Sequence, residues 1–178
     1  LYIKSVKNKD VPCFVKVPFV SVKGYTDIDM FLGFADGVFD VKGKYNLRNA
    51  EVSLLTNLDS RMMPDPNSPK MAFDVRVAVD VNVGQKVQVL MNPVLRGLVT
   101  PNTPLSFMLD TSNGLWSLKS DIVLRGGEVF YLSRNFYLKE GRVLLNESQN
   151  AFDPTITVRA ETREHDEDGD PVIIILSA

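Results

Sequence analysis

The feature that most constrains this chain is a stretch of strict alternation from Met71 to Val83. Seven apolar residues there share one parity, and the small, charged and polar residues share the other. Because successive side chains of a strand point to opposite faces, this pattern predicts a half-buried β-strand with one apolar face and one solvated face. At about 3.3 Å per residue, such a strand would be roughly 40 Å long.

The same period of two recurs over most of the chain, in residues 28–34, 39–47, 87–91, 105–109, 116–124 and 156–160. The chain also has 23 valines but only 7 alanines, which favours strands over helices because β-branched side chains pack well on a pleated surface. The last run, Val172 to Leu176, is apolar at both parities and is expected to be covered on both faces. Residues 54–62 are the best helical candidate.

The sequence therefore predicts an all-β fold of about ten to twelve antiparallel strands, in one domain spanning residues 1–178. Turn signals separate the runs and suit hairpins; they occur at 35–37, 83–85, 112–114, 125–127 and 167–170. Three prolines between 62 and 70 mark a longer loop and a possible subdivision of the domain. The chain opens in the middle of a pattern, so we expect it to be a fragment of a longer protein.

Closure of the apolar face is the open question, because no predicted helix covers it. The chain can form a β-sandwich or barrel packed by its own side chains, or its sheet can roll up and enclose an apolar groove. Both closures give the same alternation, so the residue pattern does not choose between them.

Composition excludes several classes of function. The net charge is -2 and the pI is about 5.4, which argues against nucleic acid as the main partner. One cysteine cannot form an internal disulfide, and one histidine cannot supply a multi-histidine metal site. Neither a nucleophile elbow nor a phosphate-binding glycine loop occurs, so we expect a protein that is not an enzyme and needs no cofactor or metal.

Several polar segments have a structural explanation. The acidic run from Glu164 to Asp170 resembles a calcium loop, but its twelfth position is Ile175, so a hairpin turn with His165 on the surface is expected. The segment 125–128 lacks the lysine and hydroxyl residue of a phosphate loop and is expected to form a bulge or tight bend. Cys13 is expected to be a buried structural thiol. The lysines at 4, 7, 9, 16 and 23 are expected to protect an edge strand from aggregation.

The segment from Trp116 to Ala160 resembles the C-terminal domain of the TamB family, the inner-membrane-anchored subunit of the translocation and assembly module. The family pattern combines a glycine-linked strand, an aromatic strand, an "x-Glu-Gly-x-Ile/Val" strand and an "Asp/Asn-Pro-x-Leu/Ile" strand. The positions that match it are Gly127, Arg134, Phe136, Glu140, Gly141, Val143, Asp153, Pro154, Ile156, Val158 and Ala160. Ser133, where the family usually has glycine, and Leu144-Leu145-Asn146 depart from it.

The resemblance implies a protein of the periplasm of a diderm bacterium, anchored in the inner membrane as part of a longer chain. It implies a curved, rolled sheet of the β-taco type, whose apolar concave groove shields phospholipid acyl chains during transport between the two membranes. The candidate groove residues are the apolar positions of the alternating runs: Phe73, Val75, Val77, Val79, Val81, Val83, Val87, Val89, Met91, Leu105, Phe107, Leu109, Trp116, Leu118, Ile122, Leu124, Ile156 and Val158.

Two rival functions fit the same sequence. In the first, the chain assists the assembly of outer-membrane β-barrel proteins or autotransporters beside a TamA-like barrel partner, and its strand edges capture unfolded client strands. In the second, a closed and fully packed β-sandwich acts as a spacer or adhesin module.

Overall fold

The computed structural model describes residues 1–6, 10–17, 20–54, 72–148 and 153–178. These ranges form twelve strands and contain no helix. The strands are β1 (Tyr2–Lys4), β2 (Val11–Val17), β3 (Val20–Ala35), β4 (Val38–Leu54), β5 (Asp74–Val83), β6 (Val87–Met91), β7 (Leu95–Val99), β8 (Thr103–Asp110), β9 (Leu115–Tyr131), β10 (Arg134–Ser148), β11 (Thr155–His165) and β12 (Pro171–Ser177).

All twelve strands belong to one hydrogen-bonded sheet with the main order β1-β3-β4-β5-β8-β9-β10-β11-β12. The shorter strands lie end to end in pairs, each pair along one edge of a longer strand. β5 and β6 follow one another along β4, β7 and β8 both pair with β9, and β1 and β2 share the free edge of β3. The prediction of an all-β fold built on a large sheet is therefore confirmed, and the described strands do not divide into the two sheets of a sandwich.

One part of the predicted topology is wrong, because the sheet is not antiparallel throughout. β4 pairs in parallel with both β5 and β6, whereas its neighbour on the other side, β3, is antiparallel. A parallel pair needs a crossover of about a dozen residues or more, and the connection from β4 to β5 spans residues 55–73. Most of that connection, with the predicted boundary at 62–70 and nearly all of the helical candidate 54–62, lies outside the described residues; Leu54 itself ends β4.

The register places the apolar residues of neighbouring strands side by side. Val79, for example, lies opposite Phe107 on one neighbour and Gly43 on the other, and Phe107 lies opposite Leu118. Repeated across the sheet, this pairing builds one continuous surface, which we call the apolar face. Over strands β3 to β8 the described apolar face carries no charged side chain. The opposite surface, which we call the polar face, carries the ion pairs Lys4–Asp29, Arg76–Asp110 and Arg142–Asp121.

Burial along the apolar face is graded. Val87, Val143 and Ala160 are 0% exposed, and the core cluster around them draws residues from β4 as well as from β11. Complete burial on one side of a single sheet, with no described helix above it, is consistent with a sheet that rolls towards itself. Towards the β3–β4 turn the same face opens: Phe34 is 66% exposed and Phe73 is 41% exposed.

A line of backbone irregularities crosses six neighbouring strand paths, and we call it the bulge line. The register shifts beside Gly24 and Lys139, and the ladder is interrupted between β5 and β6 and between β7 and β8. Bulges bend a strand and increase its twist, so a line of them in register is a natural place for a sheet to bend. Its residues are Gly24, Asn49, Ala50, the segments 84–86, 100–102 and 125–127, and Lys139.

Two predicted hairpin turns are bulge-line features instead. At 84–86 the chain continues along β4, where the Gly84 amide donates to the carbonyl of Leu47 at 2.8 Å. At 125–127 β9 continues without a reversal, so the bulge expected there lies within one strand and not between two strands. At both sites a glycine, Gly84 or Gly127, permits close backbone approach and not a reversal of the chain. The turns at 36–37, 111–114 and 166–170 are hairpins as predicted.

The expectation that the last apolar strand is covered on both faces is also wrong. β12 ends the sheet, and Ile173 and Ile175 are 59% and 53% exposed. An apolar run of this length is typical of a buried strand, but here the position at the edge of the sheet decides the exposure.

Candidate functional site

The candidate site is the part of the apolar face that is neither core nor fully exposed, and we call it the half-buried region. It lies on β3, β4, β5, β8 and the start of β9, on the side of the bulge line that faces the β3–β4 turn. Its residues are Ile28, Met30, Leu32, Phe39, Val41, Val75, Val77, Val79, Val81, Leu105, Phe107, Leu109 and Trp116, all of intermediate exposure.

Alternation explains why these side chains meet. Each of these strands keeps apolar residues at alternate positions, and β5 supplies valine at five of them in a row. Valine and the other β-branched residues are stiff at χ1 and pack closely across strands, so the region forms a smooth apolar surface. Its width is five neighbouring strands, or roughly 19 Å at about 4.8 Å per strand step.

Few polar atoms interrupt the half-buried region. The Tyr45 hydroxyl donates to the sulfur of Met30 at 2.9 Å, which satisfies the phenol without water. Burial is the leading cause that raises the pKa of Tyr45, so the hydroxyl stays neutral at physiological pH. Towards the β3–β4 turn, Phe73 packs edge-on against Phe34 and Phe39, with ring centroids 6.2 and 6.5 Å apart. The surface is therefore uncharged and apolar along its whole length.

The structure divides the eighteen predicted groove residues into three groups. Val83, Val87, Val89, Met91, Leu118, Ile122, Leu124 and Val158 are buried in the core. Phe73 is exposed, and Ile156 is half-buried on β11, apart from the half-buried region. The remaining eight lie in the half-buried region: Val75, Val77, Val79, Val81, Leu105, Phe107, Leu109 and Trp116. All the predicted positions on β5, β6, β8, β9 and β11 share the apolar face, but eight of the eighteen predicted residues are filled core and have no free surface for a ligand.

Sequence reasoning left out part of the region. Ile28, Met30, Leu32, Phe39 and Val41 belong to it, and their alternation was the signal that could have placed them there. On the other side of the bulge line, Val129, Phe136 and Leu138 turn inward. An extra residue in β10 at Lys139 reverses the parity of that strand, and a pattern of period two cannot locate such a change.

The structure also describes the acidic turn, the histidine and the cysteine that the sequence analysis considered. The 166–170 turn is closed by Asp166, whose Oδ1 accepts from the amides of Asp168 and Asp170 at 3.1 and 2.9 Å. His165 is exposed at the end of β11, as expected. Cys13 is only partly buried, less than predicted, although burial raises the pKa of its thiol.

Among the described residues, no group of three His, Cys, Asp or Glu side chains is placed to hold a metal ion. No helix long and apolar enough to span a membrane occurs in the same part of the chain.

Two cavities of the described chain open on the polar face, away from the predicted groove. The larger, of about 880 Å³, lies on the bulge line between β2, β3, β4 and β6. The smaller, of about 460 Å³, lies beside it next to the β6–β7 turn and shares Glu51 and Arg96 with it. None of the eighteen predicted groove residues lines either cavity.

The sequence matches no protein-family model, and no curated protein sequence matches it.

Proposed function

We propose that this chain is a non-enzymatic segment of an envelope protein, and that its half-buried region shields phospholipid acyl chains during transport between inner and outer membranes. The observation that carries the proposal is the continuous uncharged surface built by β3, β4, β5, β8 and β9. The resemblance of residues 116–160 to the TamB family supports the same function. It also supplies the proposed location, the periplasm of a diderm bacterium with an anchor in the inner membrane.

The energetics favour such a role. Moving one buried CH₂ group into water costs about 0.8 kcal/mol, so an exposed sixteen-carbon chain costs on the order of 12 kcal/mol. A surface without charges across five neighbouring strands removes much of that cost at each position of the acyl chain. Because the polar face carries the ion pairs, a lipid headgroup would stay towards solvent while its acyl chains lie on the apolar face.

The test is a lipid-transfer assay between donor and acceptor vesicles with Val77→Asp. Val77 is half-buried on the apolar face between Val41 and Leu109, so a carboxylate there should reduce transfer at least about tenfold. Ala78→Asp is the matched control, because the next residue of the same strand points to the polar face beside Lys42. Equal transfer by both variants and the unmodified chain would show that this face does not carry lipid.

The second candidate function, assembly of outer-membrane β-barrel proteins with a TamA-like partner, is favoured by a different observation. Among the described strands β12 pairs with β11 alone, and after Pro171 at its start it has neither a charged residue nor a proline. Ile173, Ile174 and Ile175 are exposed. Natural edge strands usually carry charges or prolines that prevent pairing with other chains. An unprotected edge of this kind can take up an unfolded client strand by β-augmentation.

Photo-crosslinkers at Ile173 and at Phe107 separate the two candidates. Crosslinks from Phe107 to lipid, with none from Ile173 to polypeptide, would support lipid shielding. Crosslinks from Ile173 to outer-membrane polypeptides, with none from Phe107 to lipid, would support assembly and contradict lipid shielding.

A further inference from the structure

The larger cavity on the polar face is distinct from the proposed lipid surface, and we call it the cationic cavity. Lys23, Lys86 and Arg96 line it, with Glu51 as its only carboxylate among the described lining residues. The cavity lies on the bulge line, where the ladder along β4 is interrupted between the end of β5 and the start of β6. An excess of positive charge at this point is unusual for a chain whose net charge is -2.

The cations of this cavity lack the partners that other cations of the polar face have. Arg76, Arg142 and Arg159 each lie within 4 Å of a carboxylate. Within the described chain, neither Lys23 nor Lys86 nor Arg96 forms such a pair. In the ladder Glu51 lies opposite Lys23, and Glu128 lies opposite Arg96. Neither carboxylate is within 4 Å of the cation opposite it, so a ligand does not have to break an ion pair to reach these charges.

Arg96 is also held in place. Its Nε and Nη2 both donate to Oε1 of Gln88, at 3.2 and 3.1 Å. A neutral amide fixes the plane of the guanidinium without neutralising it, and the remaining N–H groups stay free. Fixed guanidinium groups of this kind suit phosphate oxygens, because two parallel N–H donors match two oxygens of the anion.

Aromatic side chains border the same cavity. Phe14 is 71% exposed and Tyr25 is 42% exposed, and they lie on neighbouring strands beside Lys23. Exposed rings next to unpaired cations offer contacts to the apolar or aromatic part of a ligand whose other part is an anion.

We propose that the cationic cavity binds a phosphate group attached to an apolar or aromatic body. Lys23, Lys86 and Arg96 would contact the phosphate oxygens, and Phe14 and Tyr25 would contact the body. The phosphate can belong to a lipid headgroup or to a water-soluble phosphorylated compound. The site lies on the opposite face from the acyl-chain surface, so it stands whether or not that surface carries lipid.

The experiment is an NMR titration of the purified full chain with dihexanoyl phosphatidic acid below its micelle concentration, and separately with inorganic phosphate. We expect amide shifts at 23–25, 49–51 and 86–88, which form the walls of the cavity. The triple variant Lys23→Gln/Lys86→Gln/Arg96→Gln should weaken binding of phosphatidic acid at least about thirtyfold, since it removes all charge-assisted contacts.

The control is Lys42→Gln/Lys44→Gln/Lys119→Gln, which removes three exposed polar-face cations away from the cavity and changes the net charge equally. It should weaken binding less than about threefold.

A third titration with phenyl phosphate distinguishes the two sources. Phosphatidic acid binding far tighter than phenyl phosphate would identify a lipid headgroup, and phenyl phosphate binding as tightly as phosphatidic acid would identify a soluble phosphorylated compound. Inorganic phosphate binding as tightly as either would contradict the proposed contacts of Phe14 and Tyr25. Shifts absent for all three probes, or equal losses in both triple variants, would overturn the proposal.

Glu51→Gln gives an independent readout that does not require the triple variant to fold. It removes the carboxylate that opposes an anion in the cavity, so phosphatidic acid should bind about three- to tenfold tighter. Unchanged or weaker binding by this variant would contradict the assignment of the cavity to phosphate.

Discussion

At the scale of single residues, the polar face is organised by short, exposed contacts between neighbouring strands. Arg142 donates from Nε to Asp121 Oδ1 at 2.6 Å across β9 and β10. This hydrogen bond is the main cause that lowers the pKa of Asp121. A carboxyl with a depressed pKa stabilises the fold above its unfolded pKa of about 3.9, and the contribution is lost as the pH falls through the lower, folded value.

The first prediction concerns this pair. In a ¹³C NMR titration, Arg142→Gln should raise the titration midpoint of the Asp121 carboxyl, because the variant removes the donor that stabilises the charged form. Asp110, whose pKa is lowered mainly by a hydrogen bond from Ser112, serves as the internal reference, and its titration midpoint should not change. An unchanged midpoint for Asp121 would show that the pair does not form in solution.

The second prediction concerns the β9–β10 turn. Leu132 and Ser133 have φ of 47° and 63°, a left-handed region that is costly for residues other than glycine, asparagine and aspartate. Leu132→Asn/Ser133→Gly should stabilise the fold by about 1 kcal/mol, because Asn-Gly is favoured in two-residue hairpin turns. Thermal unfolding should show a melting temperature higher by about 2–4 °C.

The β3–β4 turn supplies the control for that experiment. Asp36-Gly37 already has a favoured sequence, with φ of 51° and 75°, so Gly37→Ala should lower the melting temperature by a similar amount. A double variant at 132 and 133 that unfolds earlier than the unmodified chain would mean that the turn has another conformation.

At the scale of the strands, the bulge line decides which residues become core. Gly127 packs so closely on β7 that an added Cβ would lie 2.0 Å from the carbonyl oxygen of Arg96. Gly126 has a similar φ, 153° against 148°, but an added Cβ would meet no atom within 4 Å. The pair therefore separates the cost of backbone conformation from the cost of a steric clash.

The third prediction follows from that contrast. Gly127→Ala should destabilise the fold by about 3–4 kcal/mol, and Gly126→Ala by only about 1 kcal/mol, as measured by urea unfolding. The larger effect requires β7 to lie against β9 at this point. Equal effects of the two substitutions would contradict the close approach of these strands.

The strands also show how far sequence reasoning reaches in this protein. Alternation identified the apolar face of β5, of β8 and of β9 as far as Leu124 residue by residue, because a strand segment without a bulge keeps its parity. It did not locate Phe136 and Leu138 in the core, since the extra residue in β10 changes the parity there. It also misjudged β12, because exposure of an apolar strand depends on which strand lies next to it.

At the scale of the whole molecule, the chain is one sheet with different properties at its two ends and on its two faces. One end of the apolar face is packed core, and the other is the half-buried region. The polar face carries ion pairs and, on the bulge line, the cationic cavity. The period of two could predict the faces. It could not predict the parallel placement of β5 on β4 or the cavity, because both depend on contacts between residues distant in sequence.

The central proposal is that the half-buried region holds acyl chains. The fourth prediction tests this proposal with substitutions in the middle of that region. Phe107 and Met108 are neighbours on β8 that point to opposite faces: Phe107 is half-buried between Val79 and Leu118, and Met108 is 58% exposed on the polar face. A glutamate at either position adds the same charge. Only at Phe107 would that charge lie on the surface proposed to contact lipid.

The most direct measurement is native mass spectrometry of the purified chain, without delipidation, combined with analysis of extracted lipid. The proposal predicts co-purified phospholipid on the unmodified chain and on Met108→Glu, and its loss from a folded Phe107→Glu. A chain free of phospholipid, or one that keeps its phospholipid in Phe107→Glu, would contradict the assignment of this face to acyl chains.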